Sequence, residues 1–132
     1  MNTSTIRSVV IVGQIIMYGT LVLSICKDDA GRHYIYVDNA PDGYEMVNDE
    51  CLEITEKQFT SLADSIRCLL NKKVETEDER CSDCYVEISD DNGNEVTYTW
   101  PEKLHSDTFR SIGELVNGYV QNEVAADFLS MF

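Results

Sequence analysis

The sequence predicts one α+β domain over residues 1–132, an antiparallel sheet of four to six strands with two main helices on one face. Three observations predict it. The chain opens on an uncharged, β-branched run. Two hairpin patterns follow, and each leads into a stretch with apolar residues at helical spacing. At 132 residues and 43% hydrophobic content, the chain is long and apolar enough to close a core of its own.

The opening run, Val9 to Cys26, is eighteen residues without a charge. As a helix it would span about 27 Å, just short of the roughly 30 Å hydrocarbon core of a bilayer. It contains Gly13, Gln14, Gly19, Thr20 and Ser24, polar for a span at the lower length limit. Leu23-Ser24-Ile25-Cys26 approaches a lipobox, but Ile25 stands where a small residue is needed. Val9, Val10, Ile11, Val12, Ile15, Ile16, Val22 and Ile25 are β-branched, and two glycines punctuate the run. It therefore reads as a strand, a break between Gly13 and Gly19, and the first arm of a hairpin. Membrane anchorage through residues 9–26 is the alternative.

The first hairpin lies in SICKDDAGRHYIYV. A three-residue loop at Asp29-Ala30-Gly31 sets Ile25 opposite Ile35 and Leu23 opposite Val37, apolar against apolar, with Gly31 in the left-handed position. The second hairpin, CYVEISDDNGNEVTYTW, offers two registers. A two-residue Asn92-Gly93 turn pairs Ile88 with Thr97. A three-residue Asp91-Asn92-Gly93 loop pairs Ile88 with Val96 and Val86 with Tyr98, which makes one clean apolar face and is preferred. Glu87, Thr97 and Thr99 then point to water.

The first helix follows Thr55, which forms a capping box with Gln58 and precedes a stripe of Phe59, Leu62, Ala63, Ile66, Leu69 and Leu70. The second starts at Ser106, with a stripe of Phe109, Ile112, Leu115, Val116, Tyr119 and Val120, weakened by Gly113 and Gly118. The two helices look alike at an offset of fifty residues, which raises a ββα duplication as an expectation. Between first hairpin and first helix, Pro41-Asp42-Gly43 is a turn, and Tyr44 to Ile54 is a loop or an edge strand. Residues 71–83 are the most polar connection. The apolar C-terminus either completes the core or forms a homodimer contact through Phe128, Leu129, Met131 and Phe132.

Charge is the strongest global signal. Twenty-four Asp and Glu face ten Lys and Arg, for a formal net charge of −14. Two acidic blocks, residues 27–56 with nine acids and two bases and residues 74–102 with ten acids and one base, flank a mildly basic segment. Such a chain repels nucleic acid and anionic membranes and suits a basic protein partner. Five cysteines, an odd number, do not read as a disulfide framework, so reduced thiols and a cytoplasmic setting are expected.

Cys81-Ser82-Asp83-Cys84 has the spacing of a zinc knuckle or redox pair, but it opens a strand and lacks a second ligand pair. Asp90 to Glu95 evokes a calcium loop, yet a hairpin turn explains each of its residues. His33 and His105 are the general-base candidates for a small hydrolase. No nucleophile motif, phosphate loop or cofactor motif accompanies them. The aromatics on or near the strands read as core or as protein-contact anchors rimmed by carboxylates.

The function expected is therefore a non-enzymatic inhibitor or immunity-type protein that engages a basic surface, such as the nucleic-acid groove of a bacterial or phage defence protein. Asp42, Glu45, Asp49, Glu50, Glu77, Asp78, Glu79, Asp90 and Asp91 are its candidate contacts. A small-ligand-binding oligomer is the alternative.

Overall fold

A computed structural model describes residues 6–15, 18–41, 47–72, 84–100 and 106–132. Six strands, β1 (Ile6–Ile15), β2 (Gly19–Lys27), β3 (His33–Pro41), β4 (Val47–Ile54), β5 (Cys84–Asp90) and β6 (Glu95–Trp100), form one sheet in the order β4-β3-β2-β1-β5-β6. Every neighbouring pair is antiparallel. Three helices, α1 (Glu56–Lys72), α2 (Ser106–Val120) and α3 (Glu123–Leu129), accompany it. The expected α+β architecture is the one observed, with a short third helix at the C-terminus.

The uncharged run becomes β1 and β2, which pair with each other through Val9↔Ile25 and Ile11↔Leu23. Its other partner is β5, through Val9↔Ile88 and Ile11↔Val86. These partners alternate to one face, and all of them are buried under the helices. The membrane alternative required a helix here; among the described residues no helix is long and apolar enough to cross a membrane.

Both hairpins adopt the three-residue-loop register. Ile25 stands opposite Ile35 and Leu23 opposite Val37. Ile88 stands opposite Val96 and Val86 opposite Tyr98. Gly31 and Gly93 take left-handed φ values of 82° and 84°, the conformation that closes this loop and that a side chain would strain. The segment that read as loop or edge strand is edge strand β4, where Asp49 is bulged out between Asn48 and Glu50 in the pairing with β3.

The capping box at α1 forms as read: Gln58 donates its amide to Thr55 Oγ1 at 3.1 Å, and Thr55 donates its amide to Gln58 Oε1 at 2.9 Å. The α1 stripe is buried, with Leu69 at its margin. On α2 the stripe differs at one place. Tyr119 is 40% exposed, because the buried arc of α2 runs through Phe109, Ile112, Gly113 and Val116 to Val120. Gly113, which costs helix propensity, is needed there: a Cβ on it would stand 2.3 Å from Leu129 Cδ2 of α3. The helices α2 and α3 thus approach more closely than any larger residue would allow.

Between them, Gln121 adopts a left-handed φ of 56°. Asn117 and Asn122 hold this corner: Asn122 donates its amide to Asn117 Oδ1 at 3.0 Å, and Asn117 Nδ2 donates to the Asn122 carbonyl at 3.1 Å. Asn122 also caps α3 by accepting from the Ala125 amide.

The apolar C-terminus completes the core. Phe128 and Leu129 are each 1% exposed, Phe128 meets the Tyr18 ring edge-on at 4.6 Å, and Phe132 packs on Phe109 at 4.8 Å. Of the residues expected to offer a homodimer contact, only Met131, 50% exposed, projects to solvent. Phe128→Ala should therefore cost about 3–5 kcal/mol in urea unfolding, the penalty of an emptied core site. An unchanged midpoint would show that this segment does not belong to the core.

Candidate functional site

All three described helices bury their apolar stripes in the core on one side of the sheet, so among the described residues no helix covers the second face. The pleat decides what stands on it. In every strand the residues that alternate with the core residues point there. One row across the six strands runs Glu53, Tyr34, Cys26, Ser8, Ser89, Glu95, and the next runs Cys51, Tyr36, Ser24, Val10, Glu87, Thr97. Every residue of these two rows is exposed or half-buried. The third row closes up. Val12 is buried, and Thr99, expected to face water, is 6% exposed beside Tyr85. Burial also pushes the Tyr85 phenol above its ordinary pKa, with Glu87 adding to the effect.

On the β2–β4 side, the Tyr34 and Tyr36 rings lie 5.9 Å apart. Tyr36 shares a side-chain hydrogen bond with Cys51, and its phenol is pushed up by burial first and by the two nearby thiols next. Arg32 shares a side-chain hydrogen bond with Tyr34, which raises the guanidinium further above its usual value. Burial raises the Cys26 thiol, with Cys51 and Asp28 contributing. Cys26 and Cys51 sit on β2 and β4 with β3 between them, about 9.5 Å apart across two strand spacings. That exceeds the roughly 7 Å limit for a disulfide.

At one end of the sheet the two hairpin loops sit near each other and repeat one design. Asp28 Oδ1 accepts the amides of Ala30 and Arg32 at 3.0 and 2.9 Å. Asp90 Oδ1 accepts those of Asn92 and Asn94, each at 2.9 Å, and Asp90 Oδ2 accepts from Asn94 Nδ2 at 3.0 Å. The first aspartate of each Asp-Asp-x-Gly loop is thus committed to its own turn. The second is held by cations: Asp29 pairs with Arg7, and Asp91 with Lys27 at 2.8 Å and Arg7 at 3.9 Å. The Asp90 to Glu95 segment that resembled a calcium loop is this hairpin tip.

The remaining candidates separate accordingly. Glu50 stands at the bulge of β4 and accepts from Asn122 Nδ2 at 3.1 Å, tying the edge strand to the α2–α3 corner. Three strands, β3, β2 and β1, separate it from β5 and the Asp90 loop. Asp49 is placed as the bulged residue of β4. Asp42, Glu45, Glu77, Asp78, Glu79, Cys81 and His105 lie outside the described residues. Cys84 opens β5 opposite Gly13 and Trp100. His33 is 8% exposed and packs its ring on Phe59 at 4.8 Å, at the edge of the core. The sequence reading passed over Glu53, Glu87 and Glu95 as a set. The register of the second hairpin sets Glu87 and Glu95 on one face, and Glu53 joins them only through the pairing of β1 with β2 and β5.

A second concavity lies between α1 and α2. It measures about 600 Å³ and is lined by Asp64, Ser65, Cys68, Leu69, Ser111, Glu114 and Leu115. Comparison of the chain with protein-family models, curated proteins and solved structures returned no match.

Two measurements check this geometry. The Asp90 carboxylate is held below its ordinary pKa of 3.8, first by the Asn94 side chain and then by backbone amides, against a smaller opposing desolvation. A depressed folded pKa stabilises the fold above the unfolded value and loses that stabilisation as pH falls through the folded one. Asp90→Ala should lower the urea midpoint at neutral pH, and the difference from the parent should shrink progressively below about pH 4. A pH-independent difference would contradict it. In the native protein, Cys51 and Cys68 should react readily with a thiol reagent, because both are exposed, while half-buried Cys26 should lag. Equal rates for all three would contradict the placement of Cys26.

Proposed function

We propose that this chain is a non-enzymatic interaction protein, of the inhibitor or immunity type, which captures a protein through a basic, nucleic-acid-handling surface. The observation that carries the reading is how the surface charge is distributed. Three of its cations are held by its own carboxylates, Arg7 and Lys27 at the hairpin tips and Arg110 between Asp107 and Glu114 on α2. Exposed Glu53, Glu56, Glu95, Glu123 and Asp127 add to the field of a chain whose net charge is −14. A field of this sign draws cationic partners in faster and discriminates against anionic ones.

A second reading, capture of a small cationic molecule, draws on the groove between α1 and α2. Its volume of about 600 Å³ falls in the range of small-molecule sites, and Asp64 and Glu114 stand on its two walls.

Affinity capture from the native host, with bound proteins identified by mass spectrometry, tests the first reading. A stoichiometric partner of basic isoelectric point is expected. Its rate of association should fall about tenfold as salt rises from roughly 50 to 300 mM, because the Debye length contracts over that range. An acidic partner, or one indifferent to salt, would overturn the reading.

A further inference from the structure

The face of the sheet on which the described residues place no helix is where apolar anchors and carboxylates occur together. We infer that the two accessible rows of this face, with Tyr34 and Tyr36 on β3, Val10 on β1 and Glu53, Glu87 and Glu95 interleaved with them, are the surface on which a basic protein partner docks. The inference rests on the interaction reading above and adds the place of contact and the chemistry of the occupant.

Three features carry it. The first is composition by position. Tyr34, Tyr36 and Val10 stand within the rows, with Glu87 beside Val10, while Glu53 and Glu95 end one row on the opposite edge strands β4 and β6. Aromatic and apolar anchors interleaved with carboxylates allow a few side chains to supply most of the affinity while the neighbouring charges set specificity. The second is rigidity. These side chains are mounted on a hydrogen-bonded sheet whose reverse face is packed by helices, so little order has to be gained on binding. The third is charge. Arg32, at the margin of this face, is engaged with Tyr34 and lies near Glu53, and Glu87 and Glu95 stand on the strands at the other side.

Charge and area also select the occupant. Six strands at 4.8 Å spacing make the rows about 24 Å long, and two rows make them about 14 Å deep, so the patch covers on the order of 350 Å². Any occupant confined to the patch would bury about 700 Å² in total, below the roughly 1,200 Å² of a stable interface, so it must also reach beyond the patch, and a second copy face to face would set carboxylates against carboxylates. Nucleic acid could stack on the tyrosines, but the carboxylates repel its phosphates, and they repel an anionic membrane for the same reason. A cationic protein surface satisfies both the rings, through cation–π contact, and the rim. It can also extend past the patch onto the hairpin tips.

The probe for the test is a synthetic peptide alternating lysine with tyrosine, with a glutamate–tyrosine peptide as its control, each titrated into the isotope-labelled full chain by NMR. Saturable shifts are expected at the amides of Val10, Tyr34, Tyr36 and Glu87 for the lysine peptide alone, weakening with salt. The double variant Glu53→Lys/Glu95→Lys, whose substitutions are both exposed and tolerable to the fold, should bind it about tenfold more weakly. A second variant, Tyr36→Ala, should do the same where its spectrum remains dispersed. Asp64→Lys/Glu114→Lys in the helix layer should bind as the parent does.

Shifts confined to the α1–α2 groove, equal binding of the glutamate peptide, or a concentration-dependent dimer protecting the same amides would each overturn the inference. So would a host partner captured by the parent and retained in full by both open-face variants, although the interaction reading would then stand. Peptide seated on the face without a salt-dependent host partner would support the surface and count against the reading behind it.

Discussion

Strand β1 sets the terms for the rest of the molecule. It is hydrogen-bonded along both edges, by β2 and β5, and its inner side chains are sealed by the helix layer. A charge on the inner positions Val9 or Ile11 would be buried without a partner, at a cost of several kcal/mol. Nothing charged can therefore stand in the middle of this strand. Its one cation, Arg7, sits at the bulge near the N-terminal end, where the register with β5 shifts between Ile6 and Ser8 and the side chain can reach both hairpin tips. The bulge also lets Ile6 turn inward with Val9, so the strand gains an apolar residue at the point where its cation leaves the sheet.

The acidic load is tolerated because it stands around this interior and not within it. The carboxylates that do approach the core have defined work. Asp90 is spent on turn amides, and Glu50 ties edge strand β4 to the asparagine that caps α3. The ion pairs at the hairpin tips are exposed, and each contributes at most about 1 kcal/mol. Their importance lies in placement. Each pair offsets a carboxylate along with its cation, so the net charge of −14 stands and the pairs fix where Arg7 and Lys27 lie.

The helix layer and the open face follow from one asymmetry. The described helices cover a single side of a six-stranded sheet, and the C-terminal turn completes that cover by placing Phe128, Leu129 and Phe132 against Tyr18, Gly113 and Gly13. The other side keeps the alternate residues of every strand, a mixed row of tyrosine, valine, serine and carboxylate. The apolar residues of this face are too dispersed to close on themselves. In the row beyond, Val12 and Thr99 are buried while Val22, Asp38 and Tyr85 are half-buried.

The elements whose signals are local were legible in the sequence. The Thr55–Gln58 capping box, the left-handed glycines of both loops and the alternation that sets Ile25 against Ile35 and Ile88 against Val96 all depend on neighbours within a few residues or across one turn. Physical chemistry at that range has few solutions. What depends on distant partners was not legible. Gly113 read as a weakness until Leu129 was seen against it, and Tyr119 read as core until the arc of α2 was located. The terminal phenylalanines read equally as core or contact. Glu53 lies far from Glu87 and Glu95 in the chain, and the three become one surface only once β1 joins the two hairpins into a single sheet. That joining is a choice among long-range pairings, which periodicity does not encode and the burial of β1 on both edges decides.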